Sequence, residues 1–156
     1  MSEVFITRKE ELAPSHKNEH EPFEYYKYEV TKRSEFFQVY IAFYEIPPLK
    51  SNYPYHYHTE NTETFFILSG RGELRTPEGC RAVTTGDIIV IPPGAEGAHR
   101  LTNTSPDEVL QYIDFDTANY PDIVHYPDSE KTGILMRSNP VTVFKDGTEA
   151  DYYDGE

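Results

Sequence analysis

The sequence has no tryptophan, one cysteine and two methionines, and its 14 lysines and arginines are outnumbered by 27 aspartates and glutamates. A lone Cys80 excludes an internal disulfide, and a reducing cytoplasm is the expected setting. The shortage of basic residues leaves a net charge of −13. That excludes the basic patch which nucleic acid or an anionic membrane surface needs, so neither is expected as a partner. No apolar run approaches the roughly 20 residues of a membrane-spanning helix. Met1-Ser2-Glu3-Val4 has neither a basic start nor an apolar stretch, so no secretory signal is expected. Helical periodicity beyond a turn or two is missing as well.

What is present points to strands. The 156 residues include 13 tyrosines and 9 phenylalanines, and β-branched residues are plentiful. The length suits one domain with a real core. Short apolar segments alternate with turn signals at the even spacing of an antiparallel barrel or sandwich. Val4–Arg8 reads as a short strand and Glu10–Glu24, polar with two prolines, as a loop or arm. Phe23–Thr31 reads as a strand or hairpin arm, and Phe36–Ile46 as a strand covered on both faces, closed by Pro47-Pro48. Glu63–Leu68, Gly72–Thr76, Arg81–Thr84, Ile88–Ile91, His99–Asn103 and Val109–Phe115 follow as strands. Tyr120–Ser129 reads as a surface loop, Lys131–Arg137 and Val141–Lys145 as late strands, and the acidic stretch from Asp146 as a loose tail. The expected division is an N-terminal arm over 1–35, an all-β barrel over 36–116, and an extension over 117–156 that packs on the barrel.

The chemistry gathers around residues 54–70. His56 and His58 are two apart on an extended segment and therefore share a face. A turn over Thr59–Thr62 follows, and Glu63 opens the next apolar run. Two imidazoles and a carboxylate can thus converge from adjacent strands, which is what a divalent metal requires. The competing reading is that a bare His-x-His is two ordinary surface or core histidines. Glu60 is the rival carboxylate, but it sits in the turn and reads as solvated. A second element supplies Gly86, Pro92 and Gly94, then His99 and Asn103.

Together these residues resemble the two signature motifs of the cupin superfamily. His56, His58, Glu63 and Gly70 match the first, and Gly86, Pro92, Gly94, His99 and Asn103 the second, with fifteen residues between Gly70 and Gly86 as in compact stand-alone cupins. One departure is that four residues, Ala95–Ala98, separate Gly94 from His99 where two are usual. The resemblance implies a double-stranded β-helix, or jelly-roll, barrel with His56, His58, Glu63 and His99 as ligands of Fe, Mn, Ni, Zn or Cu. It implies a metal-dependent enzyme of oxygenase or isomerase type acting on a small oxygen-rich molecule. The alternatives are a non-catalytic barrel that binds or senses a small ligand, and a structural barrel in which metal only ties strands together.

The remaining residues of interest have plainer readings. Asn103 shares a face with His99 and is a candidate for lining the pocket, although the resemblance implies a mainly structural role for it. Arg71, Arg75, Arg81 and Arg100 are candidates for binding an anionic substrate, or else are solvated. Tyr55 and Tyr57 should face away and pack, and His16, His20 and His125 should lie at the surface. If Glu63 faces in, Phe66 and Leu68 face out, and an apolar outer face suggests a homodimer, unless the N-terminal strands cover it.

Overall fold

The computed structural model describes residues 4–35, 38–137 and 141–147 and positions 149, 153 and 155. Its thirteen strands among these residues are β1 (Ser15–His20), β2 (Phe23–Glu29), β3 (Val39–Ile46), β4 (Tyr57–His58), β5 (Glu63–Ser69), β6 (Arg71–Thr76), β7 (Gly79–Thr84), β8 (Ile88–Ile91), β9 (Arg100–Asn103), β10 (Leu110–Thr117), β11 (Asp122–Tyr126), β12 (Lys131–Leu135) and β13 (Thr142–Lys145). Three single-turn 3₁₀ segments are the only helices among them. The fold is all-β, an antiparallel jelly roll. No helix among the described residues is long and apolar enough to cross a membrane.

Three sheets build it, ordered β1-β2-β3-β10-β5-β8, β7-β6-β9 and β13-β12-β11-β4. Period-two burial along the central strands explains the core. β3 turns Tyr40, Ala42, Tyr44 and Ile46 inward, β5 Phe65 and Ile67, and β6 and β9 contribute Leu74 and Leu101. The rings interlock: Tyr44 stacks on Tyr112 with centroids 4.9 Å apart, and Phe65 tilts against Tyr112 at the same distance. The turn from β5 to β6 is made by Gly70, whose φ of +86° suits glycine and whose Cβ would stand 2.6 Å from the Val109 carbonyl oxygen.

The structure corrects several expectations. Val4–Arg8 forms no strand, with Val4 and Ile6 almost wholly exposed. Ser15–His20, expected within a loop, is an edge strand paired with β2 and exposed along its whole length; a strand with both faces in water carries no hydrophobic pattern to read. Tyr120–Ser129 contains β11, which pairs with both β12 and β4. β3 is fully buried on one face only, its outward Ile41, Phe43 and Glu45 being half-buried; the expected start of that strand at Phe36 and Phe37 lies outside the described residues.

The sheet's outer face carries Phe66, Leu68, Ile88, Val90 and Phe115, each at least one-third exposed. β1 and β2 extend the sheet beyond β3 rather than folding over this face.

Candidate metal centre

Each of the four expected ligands is placed by a different piece of backbone. His56 and His99 face each other across an isolated antiparallel bridge, with reciprocal N–H···O bonds of 3.1 and 2.9 Å. His58 stands on β4, opposite Val124 of β11, and Glu63 begins β5. The four extra-motif residues before His99 are absorbed by a 3₁₀ turn at Ala95–Gly97. Gly97 passes so near the chain that a Cβ would lie 1.9 Å from the Pro92 oxygen. The longer loop therefore still delivers His99, which is 1% exposed.

The imidazoles are all anchored at Nδ1: His56 donates to the Pro54 carbonyl at 2.8 Å, His99 to the Gly97 carbonyl at 2.9 Å, and His58 to the Asp122 carboxylate. Occupying Nδ1 in this way leaves the Nε2 lone pairs free. They point at one carboxylate, with Nε2 of His56, His58 and His99 lying 3.9, 3.7 and 3.2 Å from the nearer Glu63 oxygen. Donor atoms of His56, His58 and Glu63 all fall within 4.8 Å of one another, close enough to hold one ion. His99 stands outside that tightest group, yet its buried Nε2 has no hydrogen-bond partner. A buried ring nitrogen that makes no hydrogen bond yet stands 3.2 Å from the Glu63 carboxylate fits a metal ligand better than a structural histidine. Neutral nitrogen with one carboxylate suits a divalent transition metal.

Electrostatics agree. Burial, with the neighbouring His99, pushes His56 down to about 3, so its ring is neutral at working pH. Burial alone would raise Glu63, but the three surrounding imidazoles outweigh it and hold the carboxyl below its ordinary value. His58 also feels burial, which lowers it, but Glu63 and Asp122 prevail and raise it.

Asp122 is the first residue that sequence reasoning missed. Wholly buried on β11, it accepts from His58 Nδ1, from Asn61 Nδ2 at 2.8 Å, from the Glu60 amide at 3.0 Å and from the Thr59 hydroxyl at 3.3 Å. It sets the His58 ring and the following turn together. Reading Tyr120–Ser129 as a loop concealed it.

The cluster opens on a cavity of about 260 Å³ whose wall includes His56, His58, Glu63, Asp114, Asp116 and Arg33. Asp114 and Asp116 are both 5% exposed, and each has an Oδ1 with no hydrogen-bond partner. They continue the inward row of β10 begun by Leu110 and Tyr112. Burial and the Asp116 carboxyl alongside raise Asp114 well above the carboxylate range, and its proton is shared toward Asp116. Asp116 is pushed up to about 7 by burial and by Glu63. A legible signal existed: in Leu-x-Tyr-x-Asp-x-Asp, a strand that buries the first two residues must also bury the last two.

Of the two readings of Asn103, the structural one is found and the pocket-lining one is not. It is fully buried, and its amide donates to the carbonyls of Ile46 and Glu108 while its oxygen accepts from the Ser105 amide. Every polar atom is spent on backbone, so it holds strands and does not line the cavity. Nor do the four expected arginines: Arg75 pairs with Asp128, Arg81 with Glu78, and neither Arg71 nor Arg100 is in its wall. Glu60 is exposed as expected, Tyr55 packs under the Arg75 guanidinium at 3.9 Å, and Tyr57 stacks on His125. A larger cleft of about 430 Å³ between β7 and β8 is lined mainly by aliphatic residues and reaches His99 but none of the other three.

Residues 42–115 match the family model described as "Cupin domain". An uncharacterized protein of Aquifex aeolicus is 35% identical over 104 residues, covering 67% of this chain and 78% of that protein. Among solved structures, a candidate sugar phosphate isomerase from Acidithiobacillus ferrooxidans aligns over 94% of this chain and 95% of its own, with a TM-score of 0.77 and 19% identity. A sugar phosphate isomerase of the cupin superfamily from Silicibacter pomeroyi aligns over 83% and 82%, with a TM-score of 0.71 and 17% identity. Likeness at these identities concerns the fold.

Proposed function

The chain belongs to the cupin superfamily, and on that footing we propose that it is a metal-dependent enzyme acting on a small oxygen-rich molecule. His56, His58, Glu63 and His99 are the ligands of one divalent Fe, Mn, Ni, Zn or Cu. The observation that carries the reading is the shared cavity: beside the ligand cluster stand two buried carboxyls with unpartnered oxygens, Asp114 and Asp116. A purely structural metal site needs no such cavity, and a passive binding site needs no acid–base pair.

A bound divalent ion supplies Lewis-acid polarisation of a substrate oxygen. The chain's own residues supply the proton chemistry. Asp116 as carboxylate takes a proton from the substrate, and Asp114 as carboxylic acid returns one at the neighbouring position. The pair ends with its single proton moved from Asp114 to Asp116, and exchange between the two resets it. Such groups favour an isomerase over an oxygenase, because isomerisation needs proton transfer and no external oxidant. The pairing of a satisfied Asp122 with an unsatisfied Asp116 is the division of roles expected between a positioning carboxylate and a reacting one.

The test incubates Mn²⁺-loaded protein in D₂O with a panel of aldoses, ketoses and hydroxy acids and follows deuterium at the carbon next to the carbonyl. Incorporation by the wild type that disappears in Asp116→Asn, with metal retained, is the expected result. Incorporation that survives in both Asp114→Asn and Asp116→Asn removes the pair from the mechanism.

The exposed, lone Cys80 thiol is compatible with a reducing cytoplasm. The outward Phe66, Leu68, Ile88, Val90 and Phe115 form a self-matching apolar face, on which a second copy docks in a two-fold dimer. Sedimentation of Ile88→Glu as a monomer beside a dimeric wild type supports this; a monomeric wild type refutes it.

A further inference from the structure

A buried guanidinium loses hydration that only a counter-charge restores. Arg33 lies in the wall of the metal-site cavity and is half-buried. Its Nη1 donates to the Tyr120 hydroxyl at 3.0 Å, and its guanidinium carbon stands 4.2 Å over the Tyr40 ring. Neither contact brings a negative charge. Among the described residues no carboxylate forms an ion pair with it. Burial lowers its basicity, Tyr120 and Tyr40 raise it, and Asp116 is near enough to add a smaller rise. Lys27, the other cation in the wall, is already paired with Glu29 at 3.2 Å.

Glu29, Glu63 and Asp116 act on that charge only from a distance, and none of them contacts it. Asp114 is held neutral by burial, so of the aspartate pair only Asp116 can carry a charge, and Glu63 faces the three imidazoles. A divalent ion added to this set makes the cavity positive on balance. Asp114 and Asp116 line the same cavity, each with an oxygen that has no hydrogen-bond partner, and such carboxyls suit hydroxyl groups.

We propose that Arg33 is the oxyanion-binding residue of this cavity, and that the ligand is a small polyhydroxylated molecule carrying a phosphate or carboxylate group. This rests on the reading of the cavity as a substrate site beside a metal. A planar guanidinium stacked on Tyr40 and held by Tyr120 is oriented in advance, which favours two-point contact with either anion. Phosphate and carboxylate are alternative sources of the same recognition, and matched probes separate them.

The experiment is calorimetric titration of the full chain, Mn²⁺-loaded and metal-free, with glucose 6-phosphate, gluconate and glucose. Metal uptake is measured first and separately, so that failure of the metal reading is seen on its own. At least one anion is expected to bind about tenfold more tightly than glucose, and the one that does identifies the source. Arg33→Gln is expected to bring that anion to within about twofold of glucose while Mn²⁺ affinity stays unchanged. Arg33→Lys, which keeps the charge, should retain part of the preference and guards against a folding defect in the glutamine variant. Equal binding of all three probes, no anion binding at all, or a preference that survives in Arg33→Gln overturns the proposal. If the protein takes up no metal but keeps an Arg33-dependent preference, the oxyanion site stands and the metal reading falls.

Discussion

Two buried carboxylate sites flank the histidine cluster, and they are built in opposite ways. Asp122 accepts four hydrogen bonds and has no exposed surface. Burial would raise its carboxyl, but the bonds from His58, Asn61 and the Glu60 amide outweigh burial and lower it. Asp114 and Asp116 are nearly as buried yet leave an oxygen each without a partner, and both are raised. The contrast separates two uses of one side chain. A satisfied buried carboxylate fixes the parts around it, whereas an unsatisfied one stores an acid or base for a ligand that has yet to arrive.

Breaking the satisfied site should have the largest effect. Asp122→Leu strips partners from the His58 ring, the Asn61 amide and the Glu60 N–H at once. The expected loss is on the order of 3 kcal/mol of stability in urea unfolding. Metal affinity should fall roughly 10- to 100-fold as the His58 ring loses its anchor. Unchanged affinity would mean that Asp122 does not orient the ring.

Neutralising the unsatisfied site should do the reverse. A carboxyl raised to about 7 favours folding in its protonated form. That contribution is complete below the ordinary carboxyl pKa of 3.8 and is lost as pH rises through 7. An asparagine side chain cannot ionise, so metal-free Asp116→Asn should become more stable than wild type as pH increases. The two should match more closely at pH 5 and differ by on the order of 2 kcal/mol at pH 8. A variant less stable than wild type at pH 8 would place Asp116 with the structural carboxylates.

The smallest effect should come from a carboxylate that is paired but exposed. Asp128 meets Arg75 at the surface, with nearly half of its side chain in solvent. Asp128→Ala should cost less than about 0.5 kcal/mol, a loss that shrinks further in added salt. Thermal melts at low and high ionic strength check this.

The same contrast explains how far the sequence could be read. The histidine–glutamate cluster was legible because it lies on short-range spacing: His56 and His58 share a face, Glu63 opens the next strand, and His99 follows a turn punctuated by Gly86, Pro92 and Gly94. The strand at Ile88–Ile91 was legible because apolar runs bounded by turns announce themselves. Asp122 was not, since β11 is short and follows Pro121, and its meaning comes from pairing with β4, more than sixty residues earlier. Asp114 and Asp116 were hidden differently. The pleat puts them inside, but charged residues at a strand end read as exposed unless the inward row is carried through from Leu110 and Tyr112. Arg33 stands in the loop between β2 and β3 and reaches the cavity only through the closed barrel. Local pattern shows which residues share a strand face; it does not show which loops return to it.

The central claim is that the histidine–glutamate cluster holds a metal while the aspartate pair beside it does not. Metal analysis of protein purified without chelator or nickel resin, comparing wild type with His58→Ala, Glu63→Ala, His99→Ala and Asp116→Asn, tests it most directly. The account predicts about one equivalent of a divalent transition metal in wild type and in Asp116→Asn, and its loss in the other three. No metal in the wild type even after its addition, or metal retained when Glu63 or His58 is removed, would contradict it.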